Sequence, residues 1–93
     1  MIKIDTSPIR YFSQLDEASF FAWARRIPCV TSVNQGFLHV RSKRLAESDL
    51  RDLIAIMHRY RMPMAQLRQF LNDRNEYWFN DSNTYWHREV FDA

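Results

Sequence analysis

The pattern of apolar residues predicts an α+β fold: a small antiparallel sheet of about three strands, with three to four helices packed mainly on one face. Three observations carry that expectation. The chain begins with a short alternating β-type stretch, its only glycine separates two β-prone runs, and from Leu45 the apolar spacing becomes helical. At 93 residues the chain is expected to form one domain, residues 1–93, since so short a chain rarely divides into two cores.

The opening Ile2-Lys3-Ile4 alternates, breaks at Thr6-Ser7-Pro8 and resumes at Ile9-Arg10-Tyr11-Phe12, which predicts an interrupted strand with a turn or edge position at Pro8. Ser13 and Asp16 have the spacing of a capping box, and Asp16 and Glu17 suit the positive end of a helix dipole. Phe20, Trp23, Ala24 and Ile27 then recur at i, i+3, i+4 and i+7, the buried stripe of an amphipathic helix. Arg25 and Arg26 fall in its last turn, and Pro28 stops it by forcing the preceding residue out of the α region.

Two β-prone runs follow, Cys29 to Val33 and Phe37 to Arg41, joined by Asn34-Gln35-Gly36. Gly36 stands where a tight hairpin connection usually demands a positive φ, the clearest hairpin signal in the chain. Leu50, Leu53, Ile54, Met57 and Tyr60 mark a second helix. Leu45 and Leu50 are spaced as a hydrophobic staple about a cap at Ala46, with Ser48 the competing cap. Pro63 ends this helix or opens the next, whose face is Met64, Leu67, Phe70 and Leu71, with Gln66, Arg68 and Gln69 outward. The tail from Tyr77 to Phe91 holds six of the fourteen aromatics. Its polar run Asn80 to Thr84 predicts a turn, then a short helix from about Ser82 to Val90.

Composition excludes several classes of protein. A single cysteine, Cys29, forbids an internal disulfide and favours a reducing compartment. The opening residues lack the apolar stretch of a secretory signal, and no window approaches the roughly 20 apolar residues of a membrane span, so a cytoplasmic location without membrane contact is expected. His39, His58 and His87 stand apart, none at a helical ligand spacing, so neither a metal nor another cofactor is expected. No glycine-rich phosphate loop, nucleophile elbow or Cys-x-x-Cys pair occurs. The acidic pairs Asp16 with Glu17 and Asp49 with Asp52 lie in first helical turns, where the helix dipole explains them. The expectation is therefore a protein that is not an enzyme.

Two binding classes remain. Tryptophan, tyrosine and arginine concentrate at interface hot spots, and a domain this small has difficulty burying fourteen aromatics. Trp78 and Trp86 are expected to lock the tail over the core, leaving Tyr77, Tyr85, His87 and Arg88 as a partner-binding surface or a site of self-association. A small protein-binding module follows: an inhibitor, an immunity or antitoxin-like protein, or a regulator. The alternative is nucleic-acid binding. The net charge is only +2, yet eleven of the thirteen basic residues are arginine. Arg25, Arg26, Arg41, Lys43, Arg44, Arg59 and Arg61 would form a phosphate-binding patch around Arg41–Arg44 if the fold brings them together.

Overall fold

The N-terminal alternation forms strand β1, Ile2–Asp5, in a computed structural model that describes residues 2–34 and 36–92. The strand ends at Asp5 because that side chain turns back on the backbone. Its Oδ1 accepts the Ser7 N–H at 2.9 Å and the Ser7 hydroxyl at 2.7 Å, an Asx-type turn. The same two bonds favour the ionised carboxyl and hold it below the usual aspartate range. The expected resumption of the strand at Ile9–Phe12 is not formed. Thr6 N–H bonds Gly36 O at 2.9 Å, Ile9 N–H folds back on Thr6 O at 3.1 Å, and Ile9 and Tyr11 pack against the core from an irregular segment.

Helix α1, Gln14–Arg26, begins where its cap predicts: Ser13 Oγ accepts the Asp16 N–H at 3.1 Å. The Asp16 carboxylate accepts the Phe12 N–H at 3.1 Å, one residue further back than in the usual capping box. Phe20, Ala24 and Ile27 are buried and Trp23 half-buried, as their spacing requires.

Strands β2, Val30–Asn34, and β3, Phe37–Val40, form the hairpin, and β1 pairs with the far side of β3, giving the antiparallel order β1-β3-β2. Gly36 takes φ 87° with open space around its Cα, so the conformation rather than crowding calls for glycine; Gln35 lies outside the described residues. Opposite Ile2 and Ile4 stand Val40 and Leu38, while the β2 register shifts between Val30 and Ser32, a bulge at Thr31. The period of two sends Ile4, Leu38 and Val40 into the core and leaves Lys3 and Phe37 on the opposite, uncovered face, with Lys3 Nζ 5.2 Å from the Phe37 ring.

Helix α2, Glu47–Arg59, is the centre of the helical layer. Leu50, Leu53, Ile54, Ile56 and Met57 are all buried, a face wider than the sequence stripe because neighbours pack on two sides. Ala46 is its N-cap without any side-chain bond, while Leu45 and Leu50 occupy the staple positions. The helix closes before Pro63 in a Schellman motif: Arg61 N–H bonds His58 O at 3.2 Å and Met62 N–H bonds Met57 O at 2.9 Å. That motif sets Arg61 at φ 55°, the left-handed region where glycine is usual; it is the one non-glycine residue there among those described.

The helix expected after Pro63 forms over Met64–Phe70 and is wound as a 3₁₀ helix. Its three-residue turn carries Met64, Leu67 and Phe70 to one side, all buried, and leaves Leu71 exposed. Gln66, expected outward, instead reaches β1: the Asp5 N–H donates to Gln66 Oε1 at 2.7 Å and Gln66 Nε2 donates to Asp5 O at 3.2 Å. Two short helices complete the chain, α3, Glu76–Phe79, and α4, His87–Phe91. The last helix starts five residues later than expected because Asp81 organises turns instead. Its Oδ1 accepts Asn83 N–H at 2.9 Å and its backbone oxygen accepts the Thr84 hydroxyl at 2.8 Å.

Candidate partner-binding surface

The aromatic tail divides as its residue types suggest. Trp86 is 5% exposed, its Nε1–H donates to Phe79 O at 2.8 Å, and its ring meets Trp78 edge-on at 6.1 Å between centroids. The guanidinium of Arg51 lies 4.3 Å from the Trp78 ring centroid and 5.9 Å from that of Trp86, while Arg51 Nε bonds Glu47 at 2.8 Å. The tryptophan pair therefore fastens α3 and α4 to α2. Of the four candidate contact residues, Tyr77 is 76% exposed and Arg88 is exposed too. Tyr85 is 56% exposed but rests on His58 and Trp86, with ring centroids 4.9 and 5.0 Å away. His87 is half-buried, its Nε2 3.0 Å from Asn80 Oδ1 and its ring against Phe91, so it serves the tail's own packing.

The seven basic candidates are distributed over several regions of the surface. Arg25 lies over the Phe21 ring at 5.6 Å, and Arg26 borders a shallow cleft with Trp23 and Asp52. Arg41 donates to Pro28 O at 2.9 Å, stitching the two ends of the hairpin region. Lys43 is exposed, and Arg44 lines a depression at the start of α2 with Arg74 and Asp73. Arg59 and Arg61 lie at the other end of α2, and a helix of 13 residues separates its ends by about 20 Å at 1.5 Å per residue.

The structure brings out a group of residues that the sequence reading passed over. Phe12, 88% exposed, and Leu15, 80% exposed, are the most exposed large hydrophobic side chains among the described residues. They flank the cap of α1. Phe12 holds the position from which a hydrophobic staple would pack on the fourth helical residue, but that residue is Glu17, so the ring stays in solvent. Beside it runs a cleft of about 400 Å³ lined by Pro8, Arg10, Phe12, Asp16, Arg59, Tyr60 and Arg61. Tyr60 packs edge-on against Phe20 at 5.1 Å, with Trp23 and Tyr11 at 6.3 and 6.4 Å, so an aromatic cluster backs the cleft. The Tyr60 hydroxyl reaches Asp16 O at 3.5 Å, and burial pushes the pKa of Tyr60 and of Tyr11 above the usual phenol range, making both weaker acids. Among the described residues, Arg10, Arg59 and Arg61 make no ion pair and no side-chain hydrogen bond. For Leu15 the signal was present in the sequence, since it falls off the 20/23/24/27 stripe and an apolar residue off the stripe faces solvent; Phe12 precedes the Ser13 cap, where the helical pattern says nothing.

The sole thiol, Cys29, is buried beneath the hairpin, and burial, reinforced by Asp49, pushes it up to about 12, so it remains protonated at neutral pH. Among the described residues no group of three His, Cys, Asp or Glu side chains is placed to hold a metal, and no helix is long and apolar enough to cross a membrane. Comparison with known protein families, with curated proteins and with solved structures returns no match to this chain.

Proposed function

We propose that this protein is a small, non-enzymatic, cytoplasmic binding module that acts by holding another protein, in the manner of an inhibitor, an immunity or antitoxin-like protein, or a regulator. One observation carries the reading: Phe12 and Leu15 expose 88% and 80% of their surface, the most of any large apolar side chains described, in a domain that buries Phe20, Phe70 and Phe79 almost completely. An exposed aromatic side chain beside an arginine-rimmed cleft has the composition of an interface hot spot, and Leu15 adds exposed apolar area at the same helix start. On this reading the contact surface lies at the start of α1, with Tyr77, 76% exposed on α3, a separate candidate. This role needs no bond-making step, and a thiol held protonated at neutral pH favours binding over nucleophilic chemistry.

The test is capture from the native host on immobilised protein, with Phe12→Ser/Leu15→Ser and Tyr77→Ser variants in parallel. One stoichiometric polypeptide is expected with the wild type and with Tyr77→Ser, and none with the double variant, whose circular dichroism should match the wild type. Undiminished capture by the correctly folded double variant would refute the assignment. Sedimentation at rising concentration identifies the alternative in which the captured protein is a second copy of this chain.

A further inference from the structure

We infer that the cleft at the C-terminal end of α2 receives an acidic peptide segment of the partner, with its carboxylates on Arg10, Arg59 and Arg61 and an apolar side chain against Phe12. This rests on the protein-binding reading above and specifies the chemistry of what is bound. Three arginines and one carboxylate, Asp16, line the cleft, and that carboxylate already accepts the Phe12 N–H, so the local charge is strongly positive on a chain of net charge +2. The three guanidinium groups are uncommitted to any ion pair or side-chain hydrogen bond among the described residues, while Arg51 and Arg41 are engaged within the fold. Guanidinium groups bind carboxylates bidentately, a geometry lysine lacks.

Two further observations select this occupant. A second copy docked through the same face about a twofold axis would bring two arginine clusters together, and like charges across an interface oppose association. Leu15, 80% exposed beside the α1 cap, has no π-face on which to stack a base, so of the two exposed apolar side chains there only Phe12 would suit a single-stranded nucleic acid. The backbone points the same way. The Schellman turn would accommodate glycine at position 61 without strain, yet the chain places an arginine at φ 55° on the wall of the cleft.

Fluorescence polarisation at low salt with a short labelled peptide of alternating Glu and Leu tests the inference. A Gln-and-Leu counterpart and an oligo-dT strand serve as comparisons. The acidic peptide should bind while its Gln counterpart does not. Arg10→Gln and Arg59→Gln should each weaken binding roughly three- to fivefold, and added salt should weaken it further. Arg61→Gly should weaken it comparably while raising the melting temperature, which separates lost contact from lost fold. Equal binding of the acidic and neutral peptides, wild-type affinity in the three variants, or tighter binding of oligo-dT through the same arginines would each overturn it. Should the acidic peptide fail while partner capture still depends on Phe12 and Leu15, only the acidic chemistry falls and the protein-binding reading stands.

Discussion

Replacing Arg61 by glycine should stabilise the protein, an unusual outcome for removing a charged side chain. Arg61 sits at φ 55°, held by the bonds from its own N–H to His58 O and from Met62 N–H to Met57 O. A left-handed conformation costs an L-residue about 1–2 kcal/mol because its Cβ crowds the following carbonyl oxygen. Glycine removes that crowding, and its greater freedom in the unfolded chain takes back about 0.5–1 kcal/mol. No ion pair of Arg61 is lost among the described residues, so the net gain centres on about 0.75 kcal/mol, within a span of about 0–1.5. For a domain of this size that raises Tm by roughly 2–8 °C. Thermal melting and urea titration followed by circular dichroism measure it, with an unchanged urea slope expected. Arg61→Ala, which loses the charge but keeps the Cβ, should gain nothing. A glycine variant no more stable than wild type, or an alanine variant equally stabilised, would refute the strain argument.

The remaining expectations concern the core and the tail. Cys29 is pushed up to about 12 in the folded protein against an ordinary value of 9.0, so the unfolded chain loses that proton first and stability falls as pH rises through 9. The fall between pH 9 and 10 should be about 1 kcal/mol in urea titrations and absent in Cys29→Ala; above pH 10 Tyr11, Tyr60 and Tyr85, also raised, add to it in both proteins. Trp86→Phe keeps a ring in the tail but strands the Phe79 carbonyl, and should cost about 1–3 kcal/mol in urea titration at constant slope.

Sequence patterning conveyed most of the fold wherever the determinants are local. Gly36 marked the hairpin because one residue had to adopt a positive φ, and the Ser13–Asp16 pair marked the start of α1 because the cap bond spans three residues. The helix after Pro63 was legible, but its 3₁₀ winding was not, since Met64, Leu67 and Phe70 are spaced by three, which fits a buried face in either geometry. Arg51, which secures Trp78 and Trp86, left no trace in the tail's own pattern because it comes from α2. The density of aromatics in the tail was a poor guide to exposure, since those rings bury one another; the sparse Phe12–Leu15 pair, with nothing nearby to cover it, is the more exposed. The arginines were legible as a composition but not as a place, because Arg10 meets Arg59 and Arg61 only where the irregular segment before α1 comes alongside the end of α2.

The amide of Gln66 bears on how this sheet ends. Strand β1 is an edge, and an edge strand's outward N–H and C=O groups are a template on which further strands of any chain can assemble. At Asp5 both groups are occupied by a side-chain amide that presents the donor and acceptor of a peptide unit but has no next residue with which to continue the ladder. Gln66 thus acts as a terminator: it completes one step of a fourth strand and forbids the second. On the opposite edge the bulge at Thr31 breaks the regular spacing of β2. Both edges of the sheet are thus interrupted, one by a glutamine and one by an extra residue, while the most exposed apolar side chains, Phe12 and Leu15, lie at the start of α1, away from either edge strand.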